Sequence, residues 1–176
     1  MTDMVRYISL LRGINVGGHN VNKTDLIDTY SELGFKEIKT YLQTGNVSFK
    51  TAELSIAELT NKLEETLSKK LEFPVPVFMV TEERLNKIIN EYPFDNTDNS
   101  FQFYVIFLKE GLAEKLYGSG KSLGSVIDKI DLGDNVVYWM VPKGMTVNSP
   151  FSKLLVKTNF KNYHTNRNLN TLIKLL

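Results

Sequence analysis

The sequence predicts an α+β protein of two ferredoxin-like (α/β-plait) domains packed together. Three observations carry that expectation: a strand–helix–strand–strand–helix–strand order before residue 82, most of the same order again after it, and a central segment, FQFYVIFL, that is apolar on both faces. Residues 1–81 read as a ferredoxin-like domain with the RGINVGG loop. Residues 82–176 read as a second plait-like domain with a basic helical C-terminal section.

In the first half, Val5–Leu11 is a β-branched and apolar run of strand length that opens into a glycine-rich loop. Asn22 caps a helix with Leu26, Tyr30 and Leu33 at helical spacing, and Gly34 stands in its stop position. Lys36–Gln43 and Asn46–Lys50 are short strands of a hairpin around Thr44 and Gly45. Ser55 and Glu58 form the capping box of a helix on which Ile56, Leu59, Leu63 and Leu67 share a face. Phe73-Pro74 ends it, and Val75–Thr81 is the fourth strand. This is a split βαβ repeat.

The second half opens on a helix with Leu85, Ile88 and Ile89 inward, followed by a DNTDN loop at Asp95–Asn99. In Phe101–Leu108, Phe101, Phe103, Val105 and Phe107 alternate with Tyr104, Ile106 and Leu108. A short helix over Leu112–Tyr117 and strands over Ser125–Asp131 and Asn135–Val141 follow. Ser149, with Pro150 at the first helical position, caps a further helix, and Leu169, Leu172, Ile173 and Leu176 mark the last. The second domain is therefore expected to be an incomplete or variant repeat, with a helix where the final strand would stand. Helices cover one face of its sheet; the other calls for the first domain or a second copy of the chain, which leaves a homodimer open.

Composition narrows the function classes. The chain of 176 residues contains no cysteine, which excludes disulfides, thiolate nucleophiles and zinc–thiolate sites. No apolar run reaches the roughly 18 residues of a membrane span, and Met1–Arg12 has neither a basic start nor a small-residue cleavage site, so a cytoplasmic location away from membranes is expected. The net charge of +1 is unevenly spread: residues 142–176 carry six Lys or Arg and no acid, while residues 53–141 carry nine against fifteen acids.

The first candidate site follows from topology. In a split βαβ unit the first two strands run parallel, so the loop leaving one and the hairpin leaving the other emerge at the same end of the sheet. Arg12 and Asn15 are thus expected to face Gln43, Thr44 and Asn46, with Gly17 and Gly18 freeing backbone N–H groups. A guanidinium, amides and N–H donors in one place suit an anionic small molecule or a nucleotide. The same residue types also build tight turns and tie loops together, so an architectural role stands beside the binding role.

Familiar chemical signatures do not fit. Gly13 and Gly18 have P-loop spacing, but His19-Asn20 occupy the places of Lys and Ser or Thr. Gly118–Ser122, GSGKS, lacks the leading glycine and follows a helix, so it reads as a flexible loop. The two histidines, His19 and His164, have no placed carboxylate, and DNTDN lacks both the glycine and the closing glutamate of a calcium loop. No metal, no cofactor and no catalytic constellation is read, and an enzyme is the third choice.

The tail holds the second candidate, YHTNRNLNT. Thr165 or Asn166 is expected to cap the last helix, which would set Arg167 and Asn168 in its first turn, where N–H groups and the dipole favour an anion.

At these residues the chain resembles the bacterial domain-of-unknown-function family 1697, recognised by an opening LLRGINVGG. LLRGINVGG, QTGNVSF, Phe107-Leu108, Ser152-Lys153 and TNRNLNT carry the resemblance over nearly the whole length. Thr44, Asn166 and Leu169 depart from the serine, threonine and tryptophan that the family often has there. The resemblance implies two ferredoxin-like domains in a cytoplasmic bacterial protein, and it implies no activity.

Two functional classes therefore stand: a binding module for a phosphate-bearing small ligand or nucleotide where the RGINVGG loop meets the QTGN hairpin, and a structural or protein-interaction module whose motifs stabilise the domain interface. Nucleic acid on the sheet is disfavoured. The third strand sets Asn46, Ser48 and Lys50 on one face with Val47 and Phe49 on the other, which is not the aromatic pattern of RNA-binding plaits.

Overall fold

The computed structural model describes residues 3–41, 45–52 and 55–176 and divides the chain into two compact units, Met1–Leu85 and Asn86–Lys174. Each contains one four-stranded antiparallel sheet with helices. Gln43 and Thr44 lie outside the described residues.

The first unit runs β1 (Val5–Leu11), α1 (Lys23–Glu32), β2 (Lys36–Tyr41), β3 (Asn46–Thr51), α2 (Ile56–Leu71) and β4 (Val77–Thr81), with strand order β2-β3-β1-β4. β3 is antiparallel to both β1 and β2, so β1 and β2 are parallel and end at the same edge. The register pairs Tyr7 with Phe49, Ser9 with Val47 and Leu11 with Val77. Tyr7, Leu11, Val47, Phe49 and Val77 join the core to which α1 gives Leu26 and Tyr30, and α2 gives Leu59, Leu63 and Leu67. Both helices start on the residues that the local pattern indicates: Asn22 accepts from Asp25 N at 2.8 Å and Ser55 from Glu58 N at 3.2 Å. One polar pair is sealed in this core. Tyr30 Oη lies 2.7 Å from Ser9 Oγ, which donates to Val47 O, and burial pushes the Tyr30 phenol above its ordinary pKa.

The edge strand β2 shifts register between Lys36 and Lys39, where Glu37 takes a φ of 49°. Glu37 meets Arg6 at 2.9 Å and Lys50 at 2.7 Å, and hydrogen bonding from Lys50 is the main cause that lowers its pKa. A bulge carrying charge is how an edge strand avoids pairing with another chain.

From β4 the chain enters α3 (Glu82–Asn90). The second unit then runs β5 (Phe101–Leu108), α4 (Ala113–Lys121), β6 (Lys129–Leu132), β7 (Val136–Pro142), α5 (Pro150–Leu155), β8 (His164–Asn168) and α6 (Leu169–Ile173), with strand order β6-β7-β5-β8. Ile106, Leu108, Val137, Trp139 and Val141 form a core with Ala113 and Leu116 of α4 and Phe151, Leu154 and Leu155 of α5. On the other face of that sheet Tyr92 stands edge-on to Phe103 and Tyr138, and the Tyr138 hydroxyl donates to Ile88 O at 3.0 Å.

Three expectations are corrected here. The second sheet is not short of a strand: β8 pairs with β5 from Tyr104–Asn168 to Leu108–His164, and α6 begins only after it. HTNRN has no apolar alternation; pairing with a buried neighbour, together with the burial of His164 and Thr165, makes it a strand. Gly118–Lys121 is helical rather than loop, because α4 approaches its neighbours at Gly120, where a Cβ would stand 2.5 Å from Ile130 Cδ1 and 2.9 Å from Phe151 Cε2. Finally, Ser125–Asp131 contributes a strand only from Lys129. Ser125 instead receives the N–H groups of Ile127 and Asp128.

Candidate functional site

The loop that leaves β1 is fastened on both sides at its root. Leu11 N donates to Gly45 O at 2.8 Å, and Arg12 N donates to Pro76 O at 3.0 Å, just before β4. Leu10 pairs with Asn46. The root of the loop, at Leu11 and Arg12, and the start of β3, at Asn46, therefore lie at the same end of the first sheet.

Within the loop, apolar anchors and turn residues alternate. Ile14 and Val21 are buried in the core, and Asn15 between them takes a φ of 58° while its Oδ1 accepts from Val21 N at 2.9 Å. Asparagine is among the few residues that occupy this region while bonding the backbone. Gly17 and Gly18 have φ of 62° and 89° and are exposed, and a Cβ on either would meet nothing within 4 Å. His19 lays its ring on Phe73, with centroids 4.0 Å apart. Asn46 is buried and gives its Nδ2 to Tyr41 O at 3.1 Å, closing the hairpin. Arg12 is half-buried, and desolvation lowers its pKa.

Asn15 yields a test of this scaffold. Asn15→Ala loses the bond to Val21 N and leaves at positive φ a residue without the local side-chain bonding that lets asparagine occupy that region, for an expected cost of about 1–3 kcal/mol. Asn15→Gly gives up the side-chain bond as well but adopts that backbone without strain, and should cost less than the alanine variant, about 1 kcal/mol. Urea unfolding of the two variants checks the order.

In the second unit the tail candidates fall differently from expectation. Neither Thr165 nor Asn166 caps α6; Asn168 does, accepting from Asn170 N at 2.9 Å. Arg167 therefore lies on β8, opposite Val105, and not in the first turn of a helix. The cap moved because the strand pairing holds the chain extended through residue 168. Arg167 Nη1 donates to Thr165 Oγ1 at 2.6 Å and Asn166 O at 2.9 Å, and burial lowers its pKa to about 10. His164 Nδ1 is 2.8 Å from Phe160 O.

The family described as protein of unknown function (DUF1697) matches residues 4–138, from the start of β1 into β7. The chain belongs to the DUF1697 family. The solved structure of a conserved bacterial protein from Streptococcus pneumoniae is 24% identical, covers 98% of this chain and 97% of its own, and superposes with a TM-score of 0.81. At that identity the likeness shows the fold alone. No curated protein matches.

In this DUF1697 chain the RGINVGG segment is thus a fastened loop with an exposed tip. Its root holds a desolvated cation, and its tip bares glycine backbone. Among the described residues no three His, Asp or Glu side chains gather as a metal cluster, and no helix is long and apolar enough to cross a membrane. The polar group that sequence reading missed is Asp128. Its Oδ1 accepts from Trp139 Nε1 at 2.9 Å, and its Oδ2 from Ser125 Oγ at 2.8 Å and Phe151 N at 3.0 Å. These partners are 11, 3 and 23 residues away. No local motif announces such a set.

Proposed function

We propose that this is a cytoplasmic binding module of two ferredoxin-like units, the second a repeat of the first, that takes a phosphate-bearing small ligand or nucleotide where the Arg12 loop meets the β2–β3 hairpin. The strand order shared by the two sheets supports the ferredoxin-like and repeat reading. The observation that carries the ligand reading is the half-buried Arg12 at the root of an exposed glycine tip. A guanidinium that has lost part of its water gains from an anion, and a planar fork suits phosphate oxygens. Gly17 and Gly18 are exposed and leave open space beside the backbone, which gives the same ligand room to approach. Asn15 and Asn46 belong to the scaffold in this reading, since each is spent on a backbone partner.

Those two bonds favour a second reading, in which the whole motif is architectural. Thermal-shift measurements with inorganic phosphate, nucleotides and short RNAs separate the two. A ligand at a hundred times its Kd adds about 2.7 kcal/mol. Under the binding reading Arg12→Ala abolishes that shift while changing the free protein's stability by less than about 1 kcal/mol, and Arg12→Lys recovers only part of it. If no phosphate compound stabilises the protein and Arg12→Ala alone costs about 1–3 kcal/mol, the motif is architectural.

A further inference from the structure

We propose that the second unit holds another site, independent of the Arg12 loop, for a small aromatic or aliphatic carboxylic acid. A pocket of about 420 Å³ opens beside α4 and β6, within the size range of small-molecule sites. Its apolar lining comes from Phe94, Ile130 and Phe151, and its polar lining includes Lys121, Ser125 and Lys129. Phe151 is buried and forms the floor, so the part-exposed Phe94 ring and Ile130 side chain are what the apolar body of a ligand would meet.

The charge of that ligand follows from which groups are already engaged. Asp128 also lines the pocket, but both of its oxygens are held, by Trp139 Nε1 on one and by Ser125 Oγ and Phe151 N on the other. Its negative charge is therefore spread into three donors that belong to the fold. Lys121 and Lys129 are exposed, and among the described residues neither is in an ion pair. Two ammonium groups against one satisfied carboxylate leave the pocket selective for an anion. The segment that joins the two lysines also keeps Leu123 39% and Val126 98% exposed. Neither side chain lines the pocket, but exposed apolar groups on the segment between its two lysines are a surface that gains from contact with an apolar partner.

Amide chemical shifts of the full-length protein, titrated with benzoate, cyclohexanecarboxylate and benzyl alcohol, test the assignment. Both acids should move the Gly120, Gly124, Ser125 and Ile130 resonances saturably. Benzyl alcohol, which has the ring and no charge, should bind at least about tenfold more weakly, a difference of about 1.4 kcal/mol. The double variant Lys121→Gln, Lys129→Gln removes only exposed charges, so its melting temperature should be unchanged while its benzoate affinity falls about tenfold to the level of the alcohol. Shifts that never saturate, equal binding of acid and alcohol, or undiminished benzoate affinity in the double variant would each overturn the proposal.

Discussion

Trp139→Ala is expected to lower the stability of the second unit by about 3–5 kcal/mol, a large share of the 5–15 kcal/mol that a domain usually has. The indole is fully buried, stacked on Tyr104 at 5.1 Å and tilted against Phe151 at 5.4 Å, so its removal leaves a void that strand β7 cannot fill by moving. It also takes one donor from Asp128. That second loss can be measured apart. Trp139→Phe keeps a ring between the same neighbours and deletes the Nε1 bond of 2.9 Å, so it should cost about 1–3 kcal/mol. Far-UV circular dichroism in urea is the appropriate probe, because both substitutions remove the chain's single tryptophan. If alanine and phenylalanine cost the same, packing contributes little there and the bond to Asp128 carries the position.

Three helix starts were legible in the sequence because a cap is decided within four residues. Asn22, Ser55 and Ser149 each stand where pattern alone puts them, and each makes its side-chain bond there. The meeting of the Arg12 loop with the start of β3 was also legible, for a different reason: parallel first and second strands dictate it whatever the loop contains. β8 was not legible. Its five residues lack alternation, and what makes them a strand is β5, some sixty positions earlier in the chain. The displaced cap at Asn168 and the position of Arg167 both follow from that one missed strand. Gly120 misled in the opposite direction, since a glycine read as flexibility is there for close packing against Ile130 and Phe151. Asp128 illustrates the general limit: a buried polar set assembled from separate elements has no signature until the hairpin of β6 and β7 is folded.

Phe49→Ala should remove about 3–5 kcal/mol from the first unit. Phe49 is fully buried and meets three other rings, stacking on Phe35 at 4.4 Å and Tyr7 at 5.9 Å and standing edge-on to Tyr30 at 5.4 Å. Each such pair contributes about 0.5–1.5 kcal/mol beyond the area it buries, so the loss extends past the cavity itself. The consequence for the candidate site is specific. β3 carries Phe49 in its middle and Asn46 at its start, and Gly45 just before it receives the N–H of Leu11 that fixes the root of the Arg12 loop. Loosening β3 should therefore release the loop with the strand. Amide exchange would show this as lost protection at Leu11 together with Val47 and Ser48, while Val105 and Val137 in the second unit keep theirs. Fluorescence of Trp139, which reports the second unit alone, should keep its native spectrum under conditions where β3 exchanges freely. If Leu11 stayed protected while Val47 lost protection, the loop would be held by Pro76 and its own core anchors, Ile14 and Val21, and the hairpin would have no part in positioning Arg12.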